Sequence, residues 1–150
     1  MGSVHSISEF DRQGLSEGPR YVNPAHFPNA VINSPASQVA IRFGLRGLNT
    51  TISTGFSAGL DAVGYALDML RLGRAKKLLV GGVEEFCLET FLGFYKSNYL
   101  CVNNSQPVQT ELPFDEMRPG TFLGEGSAFF VIESLDHALD RNVTPIAEVN

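Results

Sequence analysis

The most telling position for chemistry in this sequence holds a side chain that cannot do any. Thr50–Gly73 reads TTISTGFSAGLDAVGYALDMLRLG. Four of the five residues Thr50–Thr54 are β-branched, the composition of a strand. Gly55-Phe56-Ser57-Ala58-Gly59 forms a turn of small residues around one large one. Leu60, Val63, Leu67 and Leu70 then repeat at helical spacing, and Gly73 suits the residue that ends the helix. A strand-turn-helix of this kind holds one side chain at the turn's tip, beside the positive end of the helix dipole. A Cys there would have a lowered pKa and act as a nucleophile. Phe56 stands at the tip instead, and Ser57 beside it is expected to cap the helix.

The other chemically capable residues are scattered. Cys87 and Cys101 have no CxxC spacing and no His at ligand distance, so both read as free thiols. Glu84 and Glu85 are adjacent carboxylates; a metal or acid–base role competes with the plainer reading that they face solvent or satisfy backbone donors. Gly124-Glu125-Gly126 could cradle a phosphate, but a lone Gly-x-Gly is better explained by close backbone packing against the central helix. Asp115 and Arg118 sit three apart in the turn Pro113–Gly120, a spacing that suggests an ion pair closing it. His5, His26 and His137 belong to no recognisable motif, and His137 reads as exposed. No metal site and no cofactor is expected.

Several elements must position these residues. A short helix is expected over Ser8–Gln13, capped by Ser6 or Ser8 and broken by Gly18-Pro19. Tyr21–Pro28, with two prolines, reads as a rigid loop. Asn33-Ser34-Pro35 starts a helix with the stripe Ala36, Val39, Ala40 and Phe43, closed by Gly44. Leu78–Val80 is a second buried strand, which with Thr50–Thr54 and the intervening helix makes a βαβ unit with parallel neighbours. Glu89–Tyr99 is an aromatic-rich helix, 102–112 a loop, Ser127–Ile132 a strand, Leu135–Arg141 a helix and Ile146–Val149 a last strand.

Length and charge narrow the function. At 150 residues the chain is the size of one domain. A net charge of −5 disfavours nucleic acid as a partner. No apolar run approaches the ~20 residues of a membrane span, and no charged-apolar-small leader opens the sequence. A cytoplasmic protein is expected.

Taken together, several stretches resemble the β-ketoacyl synthases, the condensing enzymes of fatty-acid and polyketide synthesis. They are Gly18-Pro19-Arg20; Asn33-x-x-Ala36-x-x-Val39-Ala40-Ile41-Arg42-Phe43-Gly44-Leu45-Arg46-Gly47; Gly81-Gly82-x-Glu84; Pro113-Phe114-Asp115-x-x-Arg118-x-Gly120; and Gly124-Glu125-Gly126. The resemblance implies an α/β thiolase-like fold, here a partial one: a single domain over 1–150 with βαβ units and buried, mostly parallel strands. It implies an acyl chain or acyl carrier protein as partner. It also implies a homodimer, or a heterodimer with a ketosynthase, through Asn49–Thr54. Phe56 then replaces the family's nucleophilic Cys, and the register is anchored by Gly47 and Asn49 before it and Gly59, Gly64 and Gly73 after it.

The family's two catalytic His residues come from its second half, and none of the three His here lies in such a motif. The family also carries strands that would precede Met1. The expectation is therefore a member inactive by itself, a partner subunit of an active condensing enzyme, with Phe56 and Tyr95 lining an acyl pocket. Chain-length factors, which also lack the Cys but typically carry Gln there, are the precedent. The alternatives are a subunit of a composite condensing site with acyltransferase activity, completed by another chain, and an inactive truncated fragment.

Overall fold

A computed structural model of the chain describes residues 4–101 and 112–149. Its helices are α1 (Val4–Glu17), α2 (Phe27–Ala30), α3 (Ser34–Phe43), α4 (Ala58–Arg71), α5 (Leu88–Lys96) and α6 (Leu135–Asp140). Two strands, β1 (Lys77–Glu84) and β2 (Gly126–Glu133), pair into one sheet. The chain forms two compact units, each assembled from two stretches of sequence. The first comprises Met1–Ser34 and Glu84–Gly126, the second Pro35–Val83 and Ser127–Asn150.

In the first unit α1 packs against α2 and α5. It runs well beyond the expected Ser8–Gln13. Arg12 donates to both carboxylate oxygens of Glu9, at 2.7 and 3.1 Å, one turn away on the same face. Ser6 and Ser8 lie inside this helix rather than at its cap. Gly18, with φ +96°, ends it. The loop expected over Tyr21–Pro28 is partly helical: Asn23 accepts the Ala25 N–H at 3.0 Å and starts a 3₁₀ turn, Pro24–His26, that leads into α2. Rings of Phe10 and Phe27 meet at 6.1 Å and join α1 to α2. His5 on α1 faces Glu89 on α5 at 3.5 Å.

The second unit carries α3, α4, α6 and the sheet. Helices α3 and α4 end as their sequences predict, on Gly44 and Gly73, both left-handed. Both strands run longer than expected. Residue 81 must be glycine, because a Cβ there would lie 2.3 Å from the Ala128 carbonyl oxygen and 2.3 Å from the Phe129 ring.

Four expectations are corrected. Thr50–Thr54 and Ile146–Val149 are in no ladder among the described residues, so the βαβ unit closed by Thr50–Thr54 is not formed here. A strand needs a neighbour to bond, which β-branched composition does not provide. The expected strand burial is also absent on β2, where Phe129, Phe130 and Val131 are all exposed. Successive residues point to opposite faces, so both faces of β2 are open. Gly124 and Gly126 have open space around them, so close packing does not explain that pair. Asp115 and Arg118 form no ion pair; the Asp115 carboxylate accepts the Met117 N–H at 2.7 Å and its carbonyl accepts the Arg118 N–H at 3.2 Å. The loop expected over 102–112 lies outside the described residues except for its last position.

His137 is also not exposed as expected. It hydrogen-bonds through Nδ1 to Glu133, which also receives Arg141 at 2.5 and 3.3 Å and whose side chain is only 10% exposed. The cluster ties the end of β2 to α6 and to the turn after it. Arg141 first, and then His137, holds the Glu133 carboxyl below its ordinary value of 4.5, although desolvation works the other way.

A carboxylate with a depressed folded pKa contributes stability that is present above its unfolded value and is lost as pH falls through its folded value. The unfolding midpoint of Glu133→Gln should therefore lie below wild type at pH 6, and the gap should close as pH drops below 4.5. Urea titrations across that range would refute the assignment if the gap stayed constant. Gly81→Ala should cost about 1–3 kcal/mol, since the new methyl meets backbone. Gly82→Ala, with open space beside it, should cost far less in the same assay.

Candidate functional site

The turn ahead of α4 is built by one carboxylate. Gly55 takes φ +93°, a conformation that costs a glycine nothing. The chain reverses there, and the Ala58 N–H reaches the Gly55 carbonyl at 3.2 Å. Asp61, in the first turn of α4, accepts the Ser57 hydroxyl at 3.2 Å on Oδ2 and the Thr54 hydroxyl on the same oxygen. One side chain thus spans the turn from its first residue to its last. Ser57 occupies the N-cap position but makes no side-chain cap, which corrects its expected role. Its hydroxyl is turned toward the carboxylate four residues on rather than the amides two and three on.

Phe56 sits at the tip of this turn and is 87% exposed. The architecture is that of a nucleophile turn: a left-handed glycine, a projecting residue and a helix N-terminus directly behind it. The projecting group is a phenyl ring, which can neither ionise nor form a thioester. The turn can therefore present an apolar surface but cannot hold an acyl group covalently. Asp61, which holds the turn, belongs to none of the motifs legible in the sequence. Its one signal there is the i, i+4 spacing from Ser57.

Tyr95 belongs to the first unit. Its ring stacks on Phe91 at 6.2 Å with an interplanar angle of 11°, and Phe91 meets Phe86 edge-on at 6.3 Å. Phe94 and Tyr99 form a separate edge-on pair at 6.0 Å. Tyr95 keeps about half of its surface open. At the start of the same helix, the Glu89 carboxyl is held below the usual carboxylate range by its own backbone N–H. Burial opposes that shift, and Ser8, Cys87 and His5 reinforce it.

Both cysteines are free thiols, as expected. Cys87 is buried, with Sγ 3.1 Å from the Thr90 hydroxyl, and Cys101 donates its N–H to the Thr121 carbonyl at 3.0 Å. Neither is part of the turn at Phe56. Glu84 and Glu85 are both exposed. The Glu125 carboxylate accepts the Phe86 N–H at 3.3 Å. Among the described residues no group of three or more His, Cys, Asp or Glu could hold a metal, and no helix is long and apolar enough to cross a membrane.

Known proteins share this architecture. The family described as "Beta-ketoacyl synthase, N-terminal domain" matches residues 1–138. The 3-oxoacyl-(acyl-carrier-protein) synthase 2 of Coxiella burnetii is 36% identical over 136 residues, covering 90% of this chain and 33% of the relative. The crystal structure of a β-ketoacyl synthase from Burkholderia phymatum superposes with a TM-score of 0.85 at 29% identity, covering 95% of this chain and 35% of that one. The ishigamide ketosynthase/chain length factor gives 0.72 at 31% identity, covering 91% and 34%. The chain spans about a third of the length of these relatives. The fold is thus a partial thiolase-like α/β fold, and the chain belongs to the β-ketoacyl synthase family.

Proposed function

We propose that the chain is a non-catalytic ketosynthase subunit of fatty-acid or polyketide synthesis that works by pairing with an active condensing enzyme. The observation that carries this is Phe56. It projects from the tip of a well-formed turn, at the position where the resemblance places the nucleophile, and it offers no lone pair to a thioester carbonyl. Losing a covalent nucleophile can cost roughly a millionfold in rate. An exposed apolar ring at the same place is suited instead to filling or flooring an acyl pocket. The similarity to a ketosynthase/chain length factor supports a two-subunit arrangement, and the names of the relatives support acyl carrier protein as the source of the acyl chain.

The pairing surface in this reading is Asn49–Thr54. The segment is in no ladder among the described residues, and the Asn49 side chain anchors its start by donating to the Ala36 carbonyl at 3.4 Å. An extended β-branched stretch of this kind can add to a partner's sheet edge.

Two experiments test the proposal. The tagged chain, co-expressed with an active ketosynthase of its own genome, should co-purify as a stoichiometric complex; recovery of the two proteins in separate peaks would overturn the partner role. Phe56→Cys, assayed alone with acyl and malonyl carrier protein, should show no condensation, because none of the three His lies in a catalytic motif. Ketoacyl product from that variant by itself would show that only the nucleophile was missing.

A further inference from the structure

The turn between α4 and β1 concentrates positive charge in an acidic chain. Arg71, Arg74, Lys76 and Lys77 are four of the eleven Lys and Arg of a protein whose net charge is −5. No carboxylate lies in the sequence between Asp68 and Glu84. All four cations are exposed, and among the described residues none of them makes an ion pair or a side-chain hydrogen bond. Leu72, in their midst, is 65% exposed. Cations at a helix C-terminus commonly serve its carbonyls or its dipole. Here the backbone serves the carbonyls. The Gly73 N–H donates to the Leu70 carbonyl at 2.9 Å and the Arg74 N–H to the Met69 carbonyl at 2.9 Å, the paired bonds of a cap built on a left-handed glycine. The dipole acts over the last turn, which holds Arg71; Lys76 and Lys77 lie beyond it, at the entry to β1. The fold gives these charges no partner, and the cap fixes the turn that displays them.

We propose that this turn seats the chain on an anionic lipid surface, with Leu72 entering the boundary between headgroups and acyl chains and the four cations on the headgroup charges. A peripheral contact of this kind needs no spanning helix. An aliphatic residue among cations suits that boundary, because long Lys and Arg stems lie against apolar matter while their heads stay with charge. No side-chain bond fixes these heads, which matches the mobile headgroups of a bilayer better than the fixed carboxylates of a protein surface. Each Lys or Arg near such a surface strengthens binding about fivefold, and an inserted aliphatic adds to that. Asp68, one turn before Leu72, is exposed and offsets part of the attraction. Acidic groups farther off act weakly, since charge beyond about 8 Å is screened at physiological salt.

The turn lies at the opposite end of α4 from Phe56, so the inference is independent of the proposed function and is tested without any synthase. The purified full chain should sediment with phosphatidylcholine vesicles containing about 30 mol% phosphatidylserine at about 50 mM salt. It should stay in solution with phosphatidylcholine alone, and about 500 mM salt should release it from the anionic vesicles. Lys76→Gln and Lys77→Gln should each lower the partition coefficient about fivefold, and the double variant about twenty-five-fold. Both residues are exposed, so circular dichroism should show the folded chain in every variant. The chain has no tryptophan, so Leu72→Trp reports on this position alone. Its emission should shift to the blue on anionic vesicles, while that of Tyr21→Trp, at another exposed position, should not. A chain that fails to sediment with the anionic vesicles, or sediments equally with phosphatidylcholine, would overturn the proposal. So would binding unchanged in the double variant, or a bound Leu72→Trp chain without the shift. Capture on immobilised polyglutamate without binding to vesicles would assign the turn to an acidic protein and overturn the lipid assignment.

Discussion

Everything in the second unit depends on two backbones meeting at residue 81. Alanine's methyl would sit inside the carbonyl of Ala128 and the ring of Phe129. That single exclusion lets β1 and β2 form the sheet, and the sheet is the only ladder longer than one bridge among the described residues. The chain passes between the two compact units three times, at Ser34/Pro35 and, at the ends of these strands, at Val83/Glu84 and Gly126/Ser127. The Glu133 cluster then fixes the far end of β2 to the last helix, with one carboxylate serving two cations.

Hydrophobic stabilisation in this protein comes in fractions. Among the described residues the buried apolar ones are Ala66, Val80, Cys87, Leu100 and Ala138, none of them aromatic. Big side chains such as Phe130, Leu60 and Ile41 stay substantially open, so each contributes only part of the roughly 1.5–3 kcal/mol of a fully buried one.

The sequence is informative where a signal is local and complete. Helix α4 and its closing Gly73 follow from apolar spacing and one glycine, and α3 likewise from Ser34-Pro35 and Gly44. The tip position of Phe56 follows from the pattern around it. Strands are harder, because pairing is a property of two segments: Leu78–Val80 and Ser127–Ile132 find each other and lengthen, while Thr50–Thr54, equally β-branched, enters no ladder. Charged side chains are hardest. Asp61 and Glu133 each look like a solvated residue in the sequence, yet each gathers two partners in the fold, one of them four residues away. His137 is covered for the same reason, since its exposure depends on a glutamate one turn earlier.

The two thiols give the first unit a built-in clock. Cys87 is buried and bonded to Thr90 at the start of α5, while Cys101 is only partly covered. A small thiol reagent reaches Cys101 in the folded state but must wait for the start of α5 to open before it reaches Cys87. The ratio of the two labelling rates therefore measures how often that corner of the molecule comes apart under native conditions, with no mutation added to the chain.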